Sequence, residues 1–515
     1  MRLLFLSICL ACSIQMLAQQ HDLLQDISID FSILPPVKVK HLLYPELLQS
    51  DGQYAYIRYH FLSNINSKGE YQFLKINLQT GEKVWSAYFK RLPKYKGRVL
   101  KYQSAIVNEN GETEVIYFAE DEPNDKTYVL KHHIDDQGIV SGLQLLYSFS
   151  SDGRNYDYRG IKWNSKLKRF LLVNSPKYSN EKNQRVLHMA SFDIDGKVHW
   201  SIEIKLPYSY YSSSVVSSSL FASNKVILMA QVKEKNQDDG PDSKYVLYSI
   251  DPIKGEAKEV DLGLGEYWIG SMSIYRSVSD DNYLISGTYS RKDIDHSAGS
   301  FIIDMNSIDD SRNISFFIPY LDEIREYFLY QRGFRKNSKE IFGRFLLRGI
   351  HLTPDGNYLF VHELYQGPLP NGIPASFKDI LVQKITLDGS VLWSTVIPKS
   401  MYYSQFSDMA KVSFQQIYKD GVLHLLYNDS KHNIDLWEGK TDMVMNVPSK
   451  GILAFVSIDK DGKMVYRNPH LENLAKKQLF LANIDQEGLI NGEVMIWLSV
   501  GKKGKVYQIG RMFFR

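Results

Sequence analysis

Residues 71–90 read YQFLKINLQTGEKVWSAYFK, and how this stretch is read decides the fold. An apolar run ends at a polar turn carrying Thr80-Gly81, and a second run carrying Trp85 leaves it. Two apolar runs around a residue that accepts positive φ read as a β-hairpin. The unit returns as LHMASFDIDGKVHWSIEIKL from Leu187 and as ILVQKITLDGSVLWSTVIP from Ile380. Looser copies start at Tyr245, Ser300 and Gly451. Such self-similarity marks a repeat architecture, in which each unit buries its apolar faces against its neighbours.

Working outward, each hairpin is the second half of a four-strand cycle, A to D. Turns between C and D fall at Gly81, Gly138, Gly196, Gly255, near Asp309, and at Gly389 and Gly462. Turns between A and B read SDGQY from Ser50, NENGE from Asn108, SDDNY from Ser279, TPDGNY from Thr353, YKDGV from Tyr418 and DQEG from Asp485. Cycles begin near residues 39, 98, 157, 212, 269, 343, 410 and 477. The last is short: the runs at Gln478, Glu493 and Lys505 supply only three strands.

At the other end, Ile27, Ile29, Phe31 and Ile33 alternate with polar residues, the pattern of a half-buried strand standing alone. Most D strands are followed by proline, at Pro93, Pro207, Pro319, Pro398 and Pro469, and this lone strand is followed by Pro35. It is therefore expected to complete the last sheet and remove two open edges. The expected fold is all-β: a single β-propeller of four-stranded blades spanning 19–515, eight blades with seven as the competing count. Two insertions stand out. Residues 320–342 place Leu321, Ile324 and Phe328 at helical spacing, and residues 428–449 form a long loop with Trp437, Met443 and Met445.

Composition narrows the class. With 44% hydrophobic residues the chain can bury a large core, and 34 Tyr with 25 Phe favour strands. The 61 basic residues balance 58 acidic ones, so no nucleic-acid footprint is expected. Residues 1–18 read as an export signal: Arg2, an apolar run Leu3 to Cys12, and Met16-Leu17-Ala18 before Gln19. The chain is expected to be exported to the periplasm or beyond in a Gram-negative bacterium, with lipid anchoring at Cys12 as the alternative. No other run reaches the roughly 18 apolar residues of a membrane helix. Both cysteines, Cys9 and Cys12, lie in the signal, so no disulfide is expected after cleavage.

Asn77-x3-Gly81-x3-Trp85, repeated as Gly196 with Trp200 and Gly389 with Trp393, resembles the tryptophan-docking repeat of PQQ-like (quinoprotein-type) propellers. That repeat also occurs in non-catalytic envelope scaffolds. TPDGNYLF from Thr353 is similar to the turn of TolB-like repeats. The resemblance implies a propeller in which the Trp packs on the neighbouring blade. Quinoprotein dehydrogenases carry a vicinal cysteine pair beside their cofactor, and no cysteine follows residue 12 here, so no cofactor is expected.

Aromatics recur in the loops from D to the next A: Tyr95, Tyr156 and Tyr158, Tyr208 with Tyr210 and Tyr211, Tyr267 with Trp268, and Tyr402 with Tyr403. Strand order puts these loops on one rim, where flat rings suit a sugar or a peptide. The competing reading is that they plug gaps between blades. No metal site is assigned. Asp193-Ile194-Asp195-Gly196 and Asp459-Lys460-Asp461-Gly462 begin like calcium loops but lack the closing Glu, and they sit at hairpin turns. His132, His133, His362 and His424 have no HExxH-type partner. The acidic runs Glu120 to Asp125 and Asp238 to Asp242 read as solvated loops.

There is no G-x-S-x-G elbow, and no catalytic set is assigned; the candidate rim carboxylates are Asp157, Glu266 and Asp408. The expected function is a non-enzymatic binding or scaffold protein of the cell envelope, holding an envelope protein, a peptide or a glycan. The alternative is a carbohydrate-active enzyme, a glycan hydrolase or lyase, using those carboxylates.

Overall fold

The computed structural model describes residues 29–33, 37–38, 43–61, 71–89, 93–150, 156–176, 184–209, 212–233, 243–265, 267–276, 282–293, 296–306, 310–331, 340–366, 376–402, 414–430, 451–467, 494–500 and 506–514. They form an all-β propeller of seven complete blades, each an antiparallel meander of four strands in chain order. Blade one comprises Leu43–Ser50, Tyr54–Phe61, Tyr71–Asn77 and Lys83–Phe89. Blade two is Lys101–Val107, Thr113–Asp121, Lys126–Ile134 and Gln144–Ser150. Blade three is Tyr156–Asn164, Arg169–Pro176, Arg185–Asp193 and Val198–Leu206. Blade four is Ser213–Leu220, Val226–Lys233, Ser243–Asp251 and Glu256–Val260. Blade five is Trp268–Arg276, Asn282–Ser290, Gly299–Asn306 and Arg312–Pro319. Blade six is Arg344–Leu352, Tyr358–Gln366, Ser376–Ile385 and Val391–Tyr402. Blade seven is Phe414–Lys419, Val422–Ser430, Gly451–Ile458 and Met464–Arg467.

By its contacts the chain divides into two compact units, one of Met1–Ile65, Gln72–Ser86 and Lys399–Arg515, the other of Asn66–Tyr71 and Ala87–Pro398. The second holds blades two to five and blade six up to Pro398. The first holds blade seven, most of blade one and a sheet that joins the two ends of the chain. In that sheet Ile29–Ile33 pairs antiparallel with Val506–Phe514, Ile29 opposite Phe514 and Ile33 opposite Gly510. The same strand pairs on its other side with Val494–Val500. The expected pairing of the N-terminal strand with the last strand is therefore found. An eighth blade is not confirmed: the first strand expected of it, at Gln478, lies outside the described residues.

Within a blade, B and C bury both faces while A and D are edges, so B reads as a near-continuous apolar run and D alternates. TEVIYFAED in blade two is buried at eight of nine positions, whereas VHWSIEIKL in blade three is buried at three. The core accordingly lies between blades. Ile116, Phe118 and Val129 of blade two meet Phe170, Leu172 and Phe192 of blade three. Leu187, Met189 and Trp200 of blade three share a cluster with Val215, Leu228 and Val246 of blade four.

The turns follow their chemistry. All seven expected C-to-D positions hold a residue of positive φ, six glycines and Asp310 at 60°. The aspartates of the calcium-like runs serve these turns. Asp193 Oδ1 accepts from the backbone N–H of Asp195 at 3.0 Å and of Lys197 at 2.9 Å. Asp459 Oδ1 accepts likewise from Asp461 and Lys463. Gly196 is also a point of close approach, since a Cβ there would lie 2.8 Å from the carbonyl oxygen of Leu146 in blade two. Gly-x3-Trp thus works from both ends: the glycine lets the turn touch the preceding blade, and Trp200 fills the cluster shared with the next.

Between blades five and six, Asp322–Glu326 is α-helical and continues as a π-turn over Tyr327–Gln331. Ile324 and Phe328 are buried as expected, packed with Tyr320, Phe345 and Leu364. Leu321 is exposed, because it caps the helix with extended backbone (φ −58°, ψ 150°) and so leaves the helical face. The loop residues Trp437, Met443 and Met445 lie outside the described residues.

Candidate binding cavity between blades four and five

The D strand of blade four, EAKEV, is five residues long, whereas its C strand has nine. The ladder between the two covers Leu247 to Asp251 only and stops short of the C strand's first four residues. The reason is local. After Val260 the chain reads DLGLG, and Gly263 and Gly265 take φ of 61° and 58°, which no extended strand allows. The loop is folded on itself, with Asp261 Oδ1 accepting from the Gly263 N–H at 2.8 Å.

Where the strand is missing, a cavity of about 440 Å³ opens. Such a volume falls in the range of small-ligand pockets, roughly 300–1,000 Å³. Its apolar floor includes Leu262 and Ile269, which belong to the cluster between blades four and five. Tyr245 and Tyr267 supply the rings, and Lys244, Glu259 and Asp261 the charges. Burial raises the Tyr245 hydroxyl pKa, and Arg344 pulls it in the opposite direction. Tyr267 is held by its neighbours: its ring lies 4.9 Å from Tyr289 and 4.6 Å from Phe317, and the Arg291 guanidinium stands 5.7 Å from its centroid. Burial pushes Tyr289 up to about 12. The described lining contains no Ser, Cys or His and offers tyrosine rings, the carboxylates of Glu259 and Asp261 and the ammonium of Lys244.

The rim aromatics divide by position. Tyr158 and Tyr208 are half-buried and pack against the core between blades three and four. Tyr267 packs against the core between blades four and five, and Trp268 follows it, half-buried, at the start of blade five. Tyr95 rests edge-on against Tyr128, 5.1 Å away. Tyr156 and Asp157 begin blade three and Tyr402 ends blade six, but their side chains lie outside the described residues, as do Tyr210, Tyr211, Glu266, Tyr403 and Asp408 altogether. Of the cavity's polar groups, sequence reasoning singled out Tyr267 alone. The available signals for the rest were the DLGLG run and the absence of a proline after this D strand.

The histidines are tied into the fold. His132 Nδ1 lies 3.0 Å from the Ser141 carbonyl and His133 Nδ1 lies 3.0 Å from Glu114 Oε1. His424 Nδ1 lies 2.9 Å from Ser457 Oγ. His362 is fully buried with Nε2 3.1 Å from Ser300 Oγ, and burial lowers its pKa to about 3, so it is neutral. Glu120 and Asp121 are not merely solvated. Glu120 bonds to Lys101 and Arg159, and Asp121 is buried beside Arg98. Among the described residues no three His, Cys, Asp or Glu side chains converge as a metal site, and no helix is long and apolar enough to cross a membrane.

No protein-family model matches the sequence, and comparison with curated proteins finds no match. Among solved structures, the chain is similar to the β-propeller domain of the Trilobed protease from Pyrococcus furiosus, at 10% identity and a TM-score of 0.36 over 83% of this chain and 96% of that one. The acylaminoacyl peptidase of Pyrococcus horikoshii gives 11% and 0.38, over 88% of this chain and 55% of that one. The α-L-arabinanase of Penicillium chrysogenum gives 11% and 0.34, over 71% and 98%.

Proposed function

We propose that this chain is an exported, non-enzymatic propeller of the bacterial envelope that binds a partner or glycan through its aromatic rim, with the cavity beside Tyr267 as the principal contact. The observation that carries this reading is the shortened D strand of blade four, which leaves half-buried Tyr245 on the wall of a ligand-sized cavity at a loop bearing rim aromatics. Two tyrosine rings and a mixed-charge mouth suit recognition of a small ligand or a partner's side chain. The reading of residues 1–18 supports export, and the Gly-x3-Trp spacing resembles that of PQQ-like propellers, which include envelope scaffolds.

The test reverses two of the three exposed charges at the mouth. The tagged mature protein is cross-linked in its native envelope beside K244E/E259K, with bound material identified by mass spectrometry and glycan analysis. A partner or glycan recovered with the wild type and lost with the variant, at equal melting temperature, supports the reading. Identical recovery from both would remove the cavity from it. Release of sugars from an envelope polysaccharide by the wild type would make the chain an enzyme instead.

A further inference from the structure

In the unit that holds blades two to five and blade six up to Pro398, the A strand of each blade adjoins the A strand of the next, so these five strands make its inner edge. They carry Lys101, Arg159, Lys162, Arg276, Arg344 and Arg348 against one acid, Asp157. The D strands of the same blades are nearly balanced, with four basic residues to three acidic. The cationic bias is therefore a property of the inner edge, not of the chain.

Three of these six charges are met by carboxylates. Glu120 takes Arg159 at 2.8 Å and Lys101 at 2.7 Å, and Arg348 is met by Glu363 at 2.7 Å. Lys162 is different. Its Nζ donates to Ser217 Oγ at 3.2 Å and to the Ser218 carbonyl at 3.0 Å, both on blade four's A strand. Among the described side chains no carboxylate forms an ion pair with it. Neutral acceptors thus fix the ammonium in place and leave its charge unmatched. An ammonium has three donors, so one remains, and the Ser217 hydroxyl that accepts from it keeps its own proton to donate.

Lys162 is open to solvent at its surface, and the protein packed around its stem lowers its pKa by desolvation. On the same strand face, the Tyr158 ring lies over Gly160, where a Cβ would come 2.7 Å from its hydroxyl.

We propose that Lys162 and Ser217 form an oxyanion site on this inner edge, between blades three and four, taking the carboxylate or phosphate group of a ligand. A charge-assisted bond to Lys162 and a second bond from Ser217 hold the anion, and the adjoining basic residues favour its approach.

Titration calorimetry on the full mature chain at low ionic strength tests this, with inorganic phosphate in one arm and glucuronate in the other. Saturable binding is expected in at least one arm, and the tighter arm identifies the ligand's group. K162Q is expected to weaken it about tenfold or more, near 1.4 kcal/mol. S217D, which sets a carboxylate beside the ammonium, is expected to abolish it, and K258Q on an outer strand to leave it unchanged. No saturable binding of either anion by the wild type, or equal binding by K162Q, overturns the proposal. If K162Q loses its cooperative melt, S217D decides alone, and undiminished binding by that variant overturns it equally.

Discussion

Blades three and four are consecutive copies of one repeat and use it differently. In blade three the D strand runs nine residues, and Trp200, opposite Ser191, is buried in the cluster shared with blade four. Its turn glycine touches Leu146 of the preceding blade. In blade four the D strand runs five residues, Lys258 stands opposite Ser249, and Gly255 has nothing within 4 Å of where a Cβ would be. Blade three closes its gap to the next blade with an aromatic plug, whereas blade four ends early and leaves a cavity. Within a fixed four-strand scaffold, the outer strand is where fit is exchanged for access. B and C have no such latitude, because both of their faces are core.

If the plug is what distinguishes blade three, removing it has the largest effect. W200A is expected to cost about 3–5 kcal/mol, as for other buried aromatics truncated to alanine, read as a shift in denaturant midpoint at constant slope. W200F separates packing from polarity. The indole N–H is buried without a hydrogen-bond partner, so its loss costs nothing and only part of the ring's area is forfeited. Its cost is expected near 1 kcal/mol. Equal losses for the two variants would mean that shape, not burial, makes Trp200 necessary.

The contrast also shows what was legible in the sequence. The hairpins were plain, because Gly196 and Gly255 each end an apolar run and both take positive φ. Strand starts were placed within a few residues by periodicity, as at residues 213 and 268 against expectations of 212 and 269. Pairing of the two termini was readable because a lone alternating strand and a three-strand remainder each lacked a partner. The cavity was not. It arises from a strand that stops, and DLGLG after an ordinary D strand states the stop without saying what is uncovered. Leu321 misled for a related reason: helical spacing counts residues, and the helix begins one residue after it. Glu120 looked like part of a solvated acidic run, since its partners Lys101 and Arg159 are distant in sequence.

A smaller effect sharpens the comparison at the turns. Alanine at Gly255 meets only the intrinsic cost of positive φ, about 1 kcal/mol. At Gly196 the same φ cost is joined by collision with the Leu146 carbonyl, which is backbone and cannot swing aside. G196A is therefore expected to exceed G255A by at least about 1 kcal/mol. Matching losses in parallel urea titrations would show that the blade-two contact is loose enough to yield.

The smallest expected effect comes from transplanting the plug. Lys258 occupies the ladder position of Trp200, but it is exposed, and the strand around it, Glu256 to Glu259, is exposed throughout. A tryptophan stabilises only where a wall receives it, and in blade three that wall is the B and C strands of the next blade together with the bulge at Ser191 that aims the ring. The blade-four ladder has no bulge. K258W is therefore expected to stay within about 0.5 kcal/mol of the wild type, as surface replacements do. A gain of 1 kcal/mol or more in the urea midpoint would mean that blade four can accept a plug after all. Sequence identity at one position, rather than the length of the D strand and the two glycines beyond it, would then be what keeps the cavity open.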